Sequence, residues 1–129
     1  MPAALGAKFA FPEAPVFAVC GDGGFAMTMH ALMTAIEEHL PIVNIVLNNQ
    51  ALGWVYHGQG ERHIASEFAP FNLTAIASAI GCAAFRVNDA TELRDAIPAA
   101  LASGKPAVIE VMTTRQDAFQ DVMTAIARV

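Results

Sequence analysis

Two stretches of the sequence carry residue types that could do chemistry together: Gly21-Asp22-Gly23-Gly24 and Asn48-Asn49. Each closes a short apolar run, PVFAVC from Pro15 to Cys20 and IVNIVLNN from Ile42 to Asn49. Asp22 offers a carboxylate and Asn49 an amide oxygen, both hard oxygen ligands suited to Mg2+ or Ca2+. Mg2+ in particular takes few protein ligands and completes its shell with phosphate oxygens. Gly23 and Gly24 open the helical pattern that follows, where free N–H groups and the positive dipole end favour phosphate. Together these parts describe a site for a metal-bridged diphosphate. Asp22 and Asn49 lie 27 positions apart, so the fold must bring them together.

The surrounding pattern supplies such a fold. Phe25, Met29, Leu32, Ile36 and Leu40 recur at three- and four-residue spacing, one apolar stripe of a helix that Pro41 stops. A period-less stretch, Ala51 to Phe71, leads to a helix over Asn72 to Ile80, which Gly81 ends as a left-handed cap. Ala83 to Val87 is a third strand. Thr91 reads as the N-cap of a helix closed by Gly104, AVIEVM as a fourth strand, and Ala118 to Val129 as a last helix. With a helix over Pro2 to Ala10, the order is α-β-α-β-loop-α-β-α-β-α. Apolar runs joined by helices predict a doubly wound, mostly parallel α/β sheet with helices on both faces, in one domain over 1–129. Consecutive parallel strands place both chemical tips on the same sheet edge, where open α/β folds bind ligands. Such a sheet ordinarily carries a strand before a helix like Pro2 to Ala10. The expectation is therefore a domain incomplete at its amino terminus.

Composition narrows the partners. The net charge of −5, with basic residues scattered from Lys8 to Arg128, excludes a nucleic-acid footprint. No apolar run reaches the roughly 18 residues of a membrane span, and no secretory signal opens the chain. The expectation is a cytoplasmic protein whose two cysteines, Cys20 and Cys82, are reduced and buried. Apolar residues make up 55% against 15% charged, and 26 positions are Ala. A surface so thin in charge predicts burial against another chain, as a homo- or hetero-oligomer. The six Met residues read as core filler. Trp54 and Tyr56 are expected to fold back over the sheet edge. His30 and His39 belong on the surface, and the six-residue spacing of His57 and His63 fits no zinc motif.

GDG, a helix, a strand and then NN resembles the signature of thiamine-diphosphate enzymes. The text PAALGAKFAFPEAPVFAVCGDGGFAMTMHAL and IVLNNQALGWV is similar to the acetolactate synthase, pyruvate oxidase and benzoylformate decarboxylase branch, and the likeness runs from Pro2 to about Met112. The resemblance implies thiamine diphosphate and Mg2+ as cofactors. Asp22 and Asn49 would ligate the metal by side chains, and Ala51 by its backbone carbonyl. Gly21, Asp22, Gly23, Gly24, Phe25, Asn49, Ala51, Leu52 and Gly53 would form the cofactor-binding set, with Phe25 equally suited to core packing. The implied substrate is a small 2-oxo acid, decarboxylated or joined to a second molecule.

In that family a pyrimidine-binding domain or subunit supplies the glutamate that activates the cofactor. Glu13, Glu37, Glu38, Glu61, Glu67, Glu92 and Glu110 match no part of that motif. No catalytic residue is therefore expected in this chain, which alone would be inactive. Two other readings stay open. One is a non-catalytic structural or regulatory subunit that retains the fold. The other is a dinucleotide-binding module, because GDGGFA satisfies G-x-G-x-x-G/A. Against the second, Asp22 would face an unneutralised pyrophosphate, and Asn48-Asn49 stands where Asp or Glu would bind the ribose.

Overall fold

The computed structural model describes residues 1–116; the helix expected over Ala118 to Val129 lies outside them. Ten elements follow one another: α1 (Pro2–Ala10), β1 (Val16–Gly21), α2 (Asp22–Thr28), α3 (Ala31–Glu37), β2 (Ile42–Asn48), α4 (Gly53–Gly58), α5 (Leu73–Ile80), β3 (Ala83–Val87), α6 (Ala90–Ala102) and β4 (Ala107–Met112). The four strands form one parallel sheet in the order β1-β2-β4-β3.

Apolar residues cover the sheet from both sides, as the unbroken strand patterns require. On one face Val46 and Val108 pack with Phe25 of α2, Leu32 of α3, and Leu73 and Ala77 of α5. On the other, Val43, Val87, Ala107 and Ile109 meet Ala96 and Ala100 of α6. That second face is left open at its β1 end. Phe17, Val19 and Leu47 share it by strand alternation and are 41%, 65% and 43% exposed. Lys8 is buried on α1 and donates to the Ala14 carbonyl at 2.8 Å, fastening that helix to the start of β1.

Several boundaries differ from the expectation for local reasons. The single helical stripe from Phe25 to Leu40 is two helices. Thr28 turns its hydroxyl back onto the Gly24 carbonyl at 2.9 Å, a contact that competes with the helix ladder. Leu32 and Met33 then bond three residues back, to Met29 and His30, in a tightened turn. The N-cap of α6 is Asp89 rather than Thr91. Its carboxylate accepts from the Thr91 and Glu92 amides, satisfying two donors at once. The stretch from Ala51 to Phe71 holds the short α4 and a side-chain clamp. Gln59 donates to the Ile64 carbonyl and accepts from the Ile64 amide and the Ser66 hydroxyl. Met27 and Met33 are exposed and are not core filler.

Gly81 takes φ +106 at the end of α5, where its amide bonds back to Ser78. A Cβ there would find the nearest atom, Ile36 Cδ1, at 3.8 Å, so space is not the obstacle. The backbone conformation is. Gly81→Ala is expected to destabilise the chain by about 1–3 kcal/mol, read as a lower urea midpoint at constant m-value. An unchanged midpoint would show that the left-handed cap contributes nothing.

Candidate metal and diphosphate site

β1 runs directly into α2, with Gly21 as the N-cap residue in extended geometry. Gly21 pairs in register with Leu47, so Asp22 and Asn48 emerge side by side at the same sheet edge. Asp22 is 1% exposed. Its Oδ1 accepts from the Gly23 amide at 2.8 Å, and its Oδ2 has no partner. A buried carboxylate oxygen without donor or cation is what a hard cation such as Mg2+ would complete.

The second tip is an organised turn. The Asn49 side-chain oxygen accepts from the Ala51 amide at 3.1 Å, which leaves a lone pair for a cation. Gln50 sits at φ +58 between the two residues. Ala51 forms an isolated antiparallel bridge with Glu67, and the bonds of that bridge run through its neighbours. The Phe68 amide donates to the Gln50 carbonyl at 2.9 Å, and the Leu52 amide to the Ser66 carbonyl at 2.8 Å. In such a pair the central residue turns its own N–H and C=O away from the partner strand. The Ala51 carbonyl is thereby available as a ligand whatever the side chain.

Close approach of the tips depends on glycine. A Cβ at Gly23 would lie 2.6 Å from Leu52 Cδ2 and 3.3 Å from the Phe68 ring, and one at Gly53 would lie 3.0 Å from Asn49 Nδ2. Gly21, Asp22, Gly23, Gly24, Asn49, Ala51, Leu52 and Gly53 are thus gathered at the carboxyl ends of β1 and β2. Phe25 is the exception. Its side chain is fully buried in the core with Leu32, Val46 and Leu73 and packs there. The Gly23 amide is engaged by Asp22, leaving Gly24 as the first-turn glycine whose N–H has no intrahelical acceptor.

Four residues outside the expected set shape the site. The Asn48 side-chain oxygen accepts from the Gln50 amide at 3.0 Å, and Asn48 Nδ2 donates to buried Glu110 at 2.6 Å. Arg115 donates from Nε to the Asn49 carbonyl at 2.8 Å, pairs with Glu67, and lies 5.7 Å over the Tyr56 ring. Gln59 is the clamp described above. Strand alternation could have placed Asn48 on the buried face; nothing local marks Glu110 or Arg115. Tyr56 stacks on His63 at 3.8 Å and meets His57 edge-on, whereas Trp54 is 73% exposed and does not fold over the sheet. His30 and His39 are exposed. Among the described residues no group of three or more His, Cys, Asp or Glu is placed to hold a metal, so a cation at Asp22 would need oxygens from amide, backbone and ligand. Burial pushes the Cys20 thiol up from its ordinary range; the positive amino terminus opposes this and the Asp22 charge adds to it. Burial alone raises Cys82.

Residues 1–111 match the family described as thiamine pyrophosphate enzyme, C-terminal TPP binding domain. This chain belongs to that family. It is 37% identical over 115 residues to the protein YdaP of Bacillus subtilis, covering 87% of this chain and 20% of that one. It is 35% identical over 120 residues to the pyruvate oxidase of Lactiplantibacillus plantarum, covering 88% of this chain and 20% of the oxidase. The solved thiamine diphosphate-dependent 4-hydroxybenzoylformate decarboxylase of Rhodococcus jostii superposes with a TM-score of 0.82 at 29% identity, over 88% of this chain and 22% of the decarboxylase. The chain thus spans about a fifth of the length of the curated relatives it matches. The predicted fold class and the predicted family both hold. Among the described residues no helix is long and apolar enough to cross a membrane.

The unpartnered Asp22 oxygen has a measurable consequence. In metal-free buffer, Asp22→Asn keeps an acceptor for the Gly23 amide and removes an uncompensated buried charge. It should raise stability by on the order of 1 kcal/mol, because unsatisfied charged groups cost more than neutral ones. A lower denaturation midpoint for this variant in EDTA would contradict the absence of a partner.

Proposed function

We propose that this chain provides the diphosphate- and Mg2+-binding half of a thiamine-diphosphate enzyme acting on 2-oxo acids, by decarboxylation or acetolactate-synthase-like carboligation. The observation that carries the reading is the orphaned, buried Oδ2 of Asp22 beside the Asn49–Ala51 turn. Asp22 Oδ2, Asn49 Oδ1 and the Ala51 carbonyl would hold Mg2+, and the Gly24 amide would face the diphosphate. Gly23 and Gly53 keep the approach open, with Leu52 lining it. The same Asp22 oxygen disfavours a dinucleotide module, where it would face a pyrophosphate with no cation between them. Thiamine diphosphate, when bound, supplies the electron sink that lets a 2-oxo acid lose carbon dioxide. This chain's residues anchor and orient it, and a pyrimidine-binding domain or second chain would supply the activating glutamate. The bare sheet face at Phe17, Val19 and Leu47, with exposed Phe9 and Met27, supports an oligomeric assembly.

In the assembled enzyme, Asp22→Ala and Asn49→Ala should each weaken Mg2+ and cofactor binding together. The expected loss is on the order of 2–4 kcal/mol, comparable to breaking a buried charged contact. Calorimetry giving wild-type affinities for both variants would remove the assignment.

The purified chain alone should not turn over pyruvate or benzoylformate. Activity should return when a chain bearing the activating glutamate is added. Turnover by the chain alone, free of contaminating enzyme, would refute the division of the site between two parts.

A further inference from the structure

Asp22 and Glu110 are the two buried carboxylates among the described residues, and the proposed chemistry uses only the first. Glu110 is fully buried on β4, in register with Val46 and on the same sheet face as Val46 and Val108. An apolar side chain would fill that position at less cost than a carboxylate. No cation among the described residues pairs with it, and its Oε2 has no partner. Its one bond is the 2.6 Å contact that Oε1 accepts from Asn48 Nδ2.

That bond fixes which way the Asn48 amide faces. With Nδ2 given to Glu110, the Asn48 oxygen is directed at the Gln50 amide, which it meets at 3.0 Å. Gln50 needs the support. Its φ of +58 is a left-handed conformation that a side chain other than glycine rarely adopts. Its neighbours on either side are Asn49 and Ala51, the two oxygen donors of the turn. Reversal of the Asn48 amide would set an N–H against the Gln50 N–H, and the turn would lose the acceptor that holds it.

We propose that Glu110 is a positioning residue for the metal, acting through Asn48 and Gln50 to set the Asn49 side-chain oxygen and the Ala51 carbonyl. This rests on the reading of the turn as a Mg2+ site. Groups behind the direct ligands of a metal typically change its affinity by 10- to 100-fold when removed. Glu110 stands two residues further back than most of these, so the lower end applies.

The test compares Glu110→Leu, Glu110→Gln, Asn48→Leu and the Glu110→Leu/Asn48→Leu pair, in the full chain within its native assembly. Mg2+ affinity is measured by calorimetry at saturating thiamine diphosphate, and exchange of the Gln50 amide by hydrogen exchange without metal. Leu preserves volume, and Gln preserves the acceptor, so at least one variant is expected to fold. Glu110→Leu should weaken Mg2+ by about tenfold, Glu110→Gln should stay close to wild type, and Gln50 exchange should quicken in the Leu variant alone of those two. In the Asn48→Leu background, Glu110→Leu should change Mg2+ affinity by less than about twofold, because the two act in series. Equal effects of Leu and Gln, additive effects of the pair, or unchanged Mg2+ affinity in Glu110→Leu would each overturn the proposal. A wild-type assembly that does not bind Mg2+ would instead overturn the metal-site reading, and this inference with it.

Discussion

A carboxylate taken out of water must find positive charge or donors, and Asp22 finds one backbone amide and nothing more within the described chain. The rest of the site is arranged around that deficit. β1 ends one residue earlier, so the chain delivers Asp22 to the sheet edge at the first turn of α2. Parallel pairing with β2 then fixes what stands next to it, because Gly21 opposite Leu47 sets Asp22 beside Asn48. Gly23 lets Leu52 and Phe68 close against the start of α2, next to the buried Asp22. Each of these features would be unfavourable in a site meant to stay empty.

On the proposed reading a cation meets that need, and the Asn49–Ala51 turn completes its shell with neutral groups. An amide oxygen and a backbone carbonyl add no further charge to the buried pocket, so a cation held there would keep excess positive charge for a diphosphate. Such weak donors bind well only if they are held in place beforehand. The turn is held from three directions. Asn48 supports Gln50 from the sheet, Phe68 and Leu52 tie it to the Ser66–Phe68 segment, and Arg115 takes the Asn49 carbonyl while pairing with Glu67. Asn48 and Phe68 take the amide and the carbonyl of Gln50, the left-handed residue of the turn, and Arg115 takes the carbonyl of the residue before it.

How far the sequence revealed this depended on the range of each interaction. GDG and NN were legible because strand-end position and residue type suffice to specify them. Gly81 was legible because a left-handed cap is a one-residue problem. The break between α2 and α3 was not, since hydrophobic spacing stays in phase across it while the Thr28 hydroxyl acts on the backbone. Asp89 and Thr91 are both capping types two residues apart, and only the backbone decides between them in favour of Asp89. Phe25 was ambiguous for a related reason: position next to GDG suggested the ligand, and the apolar stripe suggested the core, where it lies. The contacts of Asn48 with Glu110 and of Asn49 with Arg115 span 62 and 66 residues, beyond any local pattern.

A site built in this way ties the stability of the chain to its ligands. On the proposed reading the buried Asp22 carboxylate disfavours the folded state until a cation arrives, and the cation's shell is completed by diphosphate oxygens. Each ligand therefore raises the affinity for the other by the same factor, since binding free energies around such a cycle must agree. Folding joins the same cycle, because any ligand that binds only the folded chain stabilises it in proportion to its saturation. The open sheet face at Phe17, Val19 and Leu47 adds a third participant. Covering it would favour the folded sheet, and with it the strand ends that carry Asp22 and Asn49. A covering chain would then reinforce metal and cofactor without touching their residues, through the one requirement that β1 and β2 remain paired to their tips.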